Sequence, residues 1–323
     1  MTRASAPALG TTTIGERRPL LQVVHRLCQS LKLVNDSACD RGPRLMSSAP
    51  PFKFDEVGIW SELKLEIVEK YGAAYTRAFA NTRGLKKFYV DAFSGAGVHI
   101  SKSSGEQIDG SPARALKITP PFDRFIFIDM NEKKTAHLQS LCAGRTNVHI
   151  ETGDASRYLI DTLLPTIKYE FYNRALCLFD PYGLHLEWLA MEMAGKSRAI
   201  DMFLNFPVMD MNRNAIWHNP ENVPPEGVAR MNVFWGDQSW RDAAYGEHAQ
   251  GNLFGPPTIV KHGNDVIVNA FRERLKKVAG FRFVPEPLPM RNKTNAIVYY
   301  LFFASQKTVA DAIATDIFAK YRR

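Results

Sequence analysis

Between Trp60 and Phe79 the apolar residues Trp60, Leu63, Ile67, Val68, Tyr71, Tyr75 and Phe79 recur every three or four positions. That spacing predicts an amphipathic helix. The period then shortens. Lys87 to Phe93 reads as a β-rich run ending in Ser94-Gly95-Ala96-Gly97, and Gly110-Ser111-Pro112 reads as a helix start, with Ser111 capping and Pro112 at the first helical position of Ala113 to Ile118. Strand, helix, strand and helix are predicted next over Phe125 to Ile128, Glu132 to Leu141, Val148 to Ile150 and Tyr158 to Leu164. Ala175 to Phe179 is the most uniformly apolar strand, as the centre of a sheet covered on both faces should be. A helix over Leu186 to Met193 and a strand over Ala199 to Asn205 follow.

Strands alternating with helices predict an α/β fold with a doubly wound parallel sheet. The end of the chain departs from this rule. Phe281 to Pro285 and Ile297 to Phe303 are strand-like with only a loop between them, which predicts an antiparallel final pair, and Val309 to Tyr321 predicts a closing helix. Pro207 to Pro257, rich in Asn, Pro, Gly and aromatics, interrupts the alternation and is expected to be an insertion over the functional edge of the sheet. Residues 1–50 carry no sustained period apart from Leu20 to Leu33 and are expected to be a disordered extension preceding a 51–323 domain. Met46 is an alternative start.

The 323 residues allow one to two domains with a core large enough to need no staples. Hydrophobic residues at 45% and charged residues at 23% exclude wholesale disorder and fibrous classes. The longest apolar run, Ala296 to Ala304, is too short for a bilayer-crossing helix, which needs about 20 residues. Cys28, Cys39, Cys142 and Cys177 form no C-x-x-C pair, so neither a zinc site nor a disulfide framework is expected and a cytoplasmic location fits. The net charge of +8 suits a nucleic-acid partner, but seven Arg/Lys against three acids in residues 1–50 account for half of it.

The chemistry gathers where strands end. Asp91 closes one strand and opens Ala92-Phe93-Ser94-Gly95-Ala96-Gly97, whose glycines let backbone approach a ligand closely. Asp129 ends the next strand, where a carboxylate can accept both hydroxyls of a ribose, and Asp154 ends the third, where an acid can hold an adenine amino group. Each acid alone is equally a helix cap. A dinucleotide would want G-x-G-x-x-G, and here Gly95-x-Gly97 is followed by Ile100 with the helix postponed to Ser111. An adenosyl ligand with a cationic tail suits Asp91 better. After the most buried strand comes Asp180-Pro181-Tyr182-Gly183. An Asp beside a proline carbonyl can accept both hydrogens of an exocyclic NH2 while the Tyr stacks on a base; the same four residues also suit a plain turn.

These residues, with Gly110-Ser-Pro112, Phe127-Ile-Asp129, Gly153-Asp154 and Leu178-Phe-Asp-Pro-Tyr-Gly183, resemble the successive motifs of class I S-adenosylmethionine-dependent methyltransferases. With the helix around Lys64 to Tyr71 and Asn205-Phe-Pro207, the chain from Phe52 to Arg323 more closely resembles the three-Cys-motif partner proteins, bacterial proteins that associate with a three-cysteine protein. The resemblance implies a Rossmann-like, seven-stranded methyltransferase fold, with S-adenosyl-L-methionine held by Asp91, Phe93, Ser94, Gly95, Gly97, Asp129 and Asp154. It implies catalysis by Asp180, Pro181 and Tyr182, because Asp-Pro-Tyr-Gly resembles the D-P-P-Y motif of adenine N6 methyltransferases and the D-P-F-G version that acts on guanine N2. The second proline is missing and Tyr182 stands one place early, so the base is open between the two. The expected substrate is DNA or RNA; the alternative is an accessory protein that keeps the fold and works with a three-cysteine partner.

Elsewhere, Lys102, Arg114, Arg213, Arg291 and Lys293 are candidate phosphate contacts or plain surface, and residues 98–110 a lid or a surface excursion. His99 and His185 adjoin the site loops, but amine methylation needs no strong base. Cys142 and Cys177 read as core.

Overall fold

A computed structural model describes residues 53–248 and 258–322. The expected extension over 1–50, its Leu20 to Leu33 helix, Cys28, Cys39 and Met46 lie outside the described residues, as do residues 249–257 of the insertion.

The described strands are β1 (Glu56–Val57), β2 (Lys86–Asp91), β3 (Val98–Ser101), β4 (Gln107–Asp109), β5 (Arg124–Asp129), β6 (Val148–Thr152), β7 (Asn173–Phe179), β8 (Ile200–Phe206), β9 (Tyr245–His248), β10 (Thr258–Lys261), β11 (Leu288–Arg291) and β12 (Ile297–Ala304). Seven of them form one sheet in the order β6-β5-β2-β7-β8-β12-β11. The first five are mutually parallel, β12 runs antiparallel to β8, and β11 antiparallel to β12. The order reverses at β2, where the chain first goes outward to β5 and β6 and then crosses back to β7 and β8. This doubly wound sheet with a reversed strand in its final pair is the class I Rossmann-like methyltransferase fold that the resemblance implied, and the strand and helix alternation alone predicted its doubly wound sheet.

The central strands are apolar on both faces because helices cover both. Along β7, Ala175, Cys177 and Phe179 enter one core, and Leu176 and Leu178 the other. The first core holds the Trp188–Lys196 and Asn264–Lys277 helices; the second holds Ile59–Ala78 and Thr308–Tyr321. Side chains such as Ile67, Leu204 and Phe271 are fully enclosed, each contributing roughly 1.5–3 kcal/mol through burial. The insertion is more than a cover over one edge: Met211, Met231, Phe234, Trp235 and Trp240 are buried in the first core.

Two expected elements shift. Phe281 to Pro285 is not a strand; Phe283 makes a single bridge to Ser305, and the edge strand is Leu288–Arg291. Pro285 offers no N–H for a ladder, whereas Pro289 is tolerated because β11 lies at the edge of the sheet. The helix after the glycine loop spans only Ser111–Ala115, with Gly110 as its N-cap and Ser111 inside it. The 98–110 segment is an ordered hairpin, β3 with β4, to which β1 adds as a parallel third strand.

Buried polar contacts pin the Ile59–Ala78 helix to the sheet. The Tyr71 hydroxyl donates to Asp201 on β8 at 2.7 Å, Ser305 donates to the other oxygen, and the Tyr299 hydroxyl donates to the Trp60 carbonyl. Burial pushes the Asp201 carboxyl up to about 6, with the Ser305 and Tyr71 hydroxyls and the Lys307 charge holding it down.

Candidate active site

Five strand ends converge on one rim of the sheet: Asp91 ends β2, Asp129 ends β5, Gly153-Asp154 follows β6, Asp180 follows β7, and Asn205 is the penultimate residue of β8. In open α/β sheets this rim, beside the point where strand order reverses, is where ligands bind.

The glycine loop after β2 is held from both sides. The Ser94 amide and hydroxyl both donate to the Ile128 carbonyl, at 2.8 and 3.1 Å. The Gly95 amide donates to Asp129 Oδ2 at 2.8 Å, and Asp129 Oδ1 accepts from the Asn131 amide. Gly97 is required as glycine: its φ is +79°, and a Cβ there would lie 2.8 Å from Leu138 Cδ1. Phe93 is half-buried against the first core.

Asp91 is fully buried, and neither carboxylate oxygen completes a hydrogen bond within the protein. Burial pushes it up to about 7, while the Ser111 hydroxyl and the Lys64 charge pull the other way. Asp129 is well placed, but its two oxygens already brace the loop, each with a lone pair to spare. Asp154 does what a capping acid does: exposed, it accepts from the Arg157 amide at 2.9 Å at the start of the Ala155–Tyr158 helix. Asn131, rather than Asp129, caps the Glu132–Leu141 helix.

Asp180 is not a free acceptor. Its Oδ1 accepts from the Asn205 side-chain amide at 2.7 Å, and its Oδ2 takes the ammonium of Lys64, a buried residue of the Ile59–Ala78 helix. The Lys64 ammonium also lies 5.5 Å from the centre of the Tyr299 ring. Because the Asn205 NH2 faces Asp180, its Oδ1 points away, enclosed and without a partner. Lys64 and Asn205 were named only within the resemblance. A signal for Lys64 was present, for it sits on the apolar stripe between Trp60 and Val68, where a cation survives only if paired. Pro181 is buried, and Gly183, two residues on, packs so that a Cβ would lie 2.6 Å from Asp210 Oδ2, another enclosed oxygen without a partner.

Tyr182 is 62% exposed, with the Lys134 ammonium 5.5 Å from the centre of its ring. Its hydroxyl donates to Asp55 at 3.2 Å and accepts from Lys134 at 3.3 Å, and Lys134 pairs with Asp55 at 2.6 Å. Burial raises the Tyr182 hydroxyl, and the Asp55 charge adds to it. This cluster joins the segment before β1, the Glu132–Leu141 helix and the Asp180 loop, and His137 of the same helix meets the Ala96 carbonyl of the glycine loop at 2.9 Å. His99, on β3, lies beneath it with Nδ1 enclosed and unpartnered; burial and then the Lys64 charge lower its pKa, against Asp55 and Asp180. His185 is exposed on the loop after Gly183. Cys142 and Cys177 are buried, away from any role as nucleophiles, with burial pushing both thiols up. Among the described residues no His, Cys, Asp and Glu group has metal-binding geometry, and no helix is long and apolar enough to cross a membrane.

No protein-family model matches the chain, and no curated protein matches it. Solved structures similar to it include a protein from Legionella pneumophila, 13% identical over 66% of this chain and 88% of that one, with a TM-score of 0.37. A S-adenosylmethionine-dependent methyltransferase from Mesorhizobium loti is 12% identical over 72% and 95%, with a TM-score of 0.34. A SAM-dependent methyltransferase from Leishmania major is 9% identical over 76% and 82%, with a TM-score of 0.33. At such scores the likeness adds no weight, and the fold rests on strand order and register.

Proposed function

We propose that this protein is a S-adenosylmethionine-dependent methyltransferase acting on an exocyclic amine of a nucleic-acid base, adenine N6 or guanine N2. One observation carries the reading: Asp91 and Asn205, at strand ends of one rim, hold enclosed polar atoms without partners, as do His99 on β3 beside Gly95 and Asp210 on the Val208–Asn214 helix beside Gly183. Burying such groups unpaired costs roughly 1–3 kcal/mol each, so the rim is built for a polar ligand that completes them.

The residues fit S-adenosylmethionine. Asp91, unpaired and buried, suits the cationic amino acid end; Asp129 suits the ribose; Gly95 and Gly97 open the backbone to the ligand, and Phe93, Ser94 and Asp154 frame it. The cofactor supplies an electrophilic methyl group on a sulfonium. The chain's contribution is to hold the target nitrogen in line and keep water out. Asp180, fixed by Lys64 and Asn205, and the Pro181 carbonyl accept hydrogens from the amine, while the exposed Tyr182 ring stacks on the base. Accepting its N–H groups, these two acceptors would push electron density onto the amine nitrogen, whose lone pair would take the methyl group as the sulfonium C–S bond breaks, one amine proton passing to solvent.

Calorimetric titration with S-adenosylhomocysteine, with NAD as control, tests the cofactor site. The expected result is binding of the first alone, weakened at least tenfold in Asp129→Ala. A radiolabelled methyl-transfer screen over DNA and RNA then tests the substrate. Cofactor binding without transfer to any nucleic acid, together with co-purification of a three-cysteine protein, would favour the accessory role instead.

A further inference from the structure

At the opposite rim, where the strands begin, a second surface has the make-up of a nucleic-acid platform. The short turn Tyr169–Phe171 and the next residue, Tyr172, expose three aromatic rings in four positions: Tyr169 45%, Phe171 45% and Tyr172 53%. Cations back the rings. The Arg174 guanidinium, itself buried and donating to the Tyr169 and Asn173 carbonyls, stacks 3.8 Å from the centre of the Tyr169 ring; the Lys307 ammonium lies 5.3 Å from that ring, and Lys168 lies 5.7 Å from the Phe171 ring. Lys86 and Arg198 border the patch, for the Lys86 amide donates to the Tyr172 carbonyl and the Tyr169 amide to the Ser197 carbonyl.

None of these five cations is in an ion pair among the described residues, although the protein makes many elsewhere. Glu170 is the only acid in the segments that form the patch. Exposed rings without charge would suit an apolar protein face. Cations without rings would suit any anion. The two interleaved suit single-stranded nucleic acid, whose bases stack on aromatic rings while its phosphates meet Lys and Arg.

We infer that the Lys168–Tyr172 surface binds single-stranded nucleic acid, as an anchoring site about 20 Å from the rim that holds Asp180, given some 3.3 Å of rise per residue along β7. A strand anchored there feeds its further nucleotides toward the opposite rim. The inference concerns binding alone and stands whether or not methyl transfer occurs.

The test is fluorescence anisotropy of labelled (dT)20, (rU)20 and a 20-base-pair duplex on the full chain, at several salt concentrations. The variant Phe171→Ala/Tyr172→Asn removes both rings; Asn is chosen because Tyr172 has a φ of +59°, which Asn tolerates. Loss of the rings should weaken single-strand binding at least tenfold and leave duplex binding within about twofold. Lys86→Glu/Lys168→Glu, at side chains that pair with no acid among the described residues, should weaken all three and flatten the salt dependence. Single-strand binding within twofold of wild type in both double variants overturns the inference. So does displacement of the strand by poly-glutamate at equal charge, which would mark the patch as a site for an acidic protein segment.

Discussion

Asn205 donates its side-chain NH2 to Asp180 Oδ1 at 2.7 Å, which leaves the Asn205 carbonyl oxygen enclosed and facing the rim without a partner. With Lys64 on the other oxygen, Asp180 is fixed in place, which suits the proposed role of positioning a target amine rather than that of a mobile base. Asp180→Ala should abolish methyl transfer, by at least a hundredfold, and leave S-adenosylhomocysteine affinity within about twofold, because the cofactor contacts lie on β2 and β5. Asn205→Ala should lower kcat more than it raises KM for nucleic acid. Equal loss of cofactor binding in Asp180→Ala would sink this division of roles.

Lys64→Met removes a buried cation's charge at nearly constant volume and leaves the part-exposed Asp180 with Asn205 alone. A hydrogen bond to a charged group contributes roughly 1.5–3 kcal/mol, so the variant should melt several degrees lower than wild type. Pairing with Asp180→Asn should restore most of that loss, since the unpaired charge is then gone. Thermal melts of the two single variants and the double variant measure the coupling; strictly additive losses would mean that the pair contributes nothing.

Asp91 gives a pH dependence whose sign is fixed. Burial holds its carboxyl at about 7, against about 3.9 for an unfolded Asp. A raised value means that this group favours the fold most below about pH 4 and that its contribution is lost as pH rises through 7. Asp91→Asn should therefore stabilise the free protein at pH 8, by about 2 kcal/mol, and less at pH 5. A cationic ligand needs the ionised form, so S-adenosylhomocysteine affinity should rise with pH up to about 7 and then level off. Calorimetry at pH 6 in two buffers of different ionisation enthalpy should show release of up to one proton. Affinity that is flat from pH 5.5 to 8 would mean that the cation does not meet Asp91.

Most of the sheet was legible because its strands are apolar runs closed by acids or glycines, and β7 is so apolar that only a central position suits it. The edge strand was misplaced because β11 contains Pro289 and follows Pro285 and Pro287, and prolines read as loop until an edge position excuses them. The acids at the strand ends were legible as a set. What each does was not, since Asp129 bracing Gly95, Asp154 capping and Asp91 standing unpaired depend on contacts between segments far apart in sequence. Asp55 and Lys134 were missed for the same reason: they meet Tyr182 across 127 and 48 positions of chain.

Gly97→Ala should be costly on two counts. Its φ of +79° is strained for any residue with a Cβ, and that Cβ would press on Leu138, which is fully buried in the second core. A loss of roughly 1–3 kcal/mol is expected. Gly105→Ala shares the backbone strain, with a φ of +74°, but meets nothing, so the difference between the two variants isolates the clash. Denaturant titrations should place Gly97→Ala well below Gly105→Ala, with S-adenosylhomocysteine binding weakened only in the former.

Asp55, Lys134 and Tyr182 close a bridge on the helix whose His137 meets the glycine loop at Ala96, and its strength should show in ligand kinetics. Lys134 is held charged by Asp55 despite the pull of its own burial, and the pair is mostly shielded from water. Phe54 on the same segment packs edge-on to His137 at 5.1 Å, so the segment before β1 is anchored at two points on the Glu132–Leu141 helix. On the proposed cofactor site, a ligand at the glycine loop would leave past this bridge. Lys134→Ala should raise the dissociation rate of S-adenosylhomocysteine several-fold, with a smaller change in the association rate, and should speed amide exchange over residues 53–58. Asp55→Asn should do the same, because it removes the shared acceptor. Stopped-flow displacement and hydrogen exchange check the two effects together: faster exchange without faster release would mean that the segment covers the helix but not the ligand.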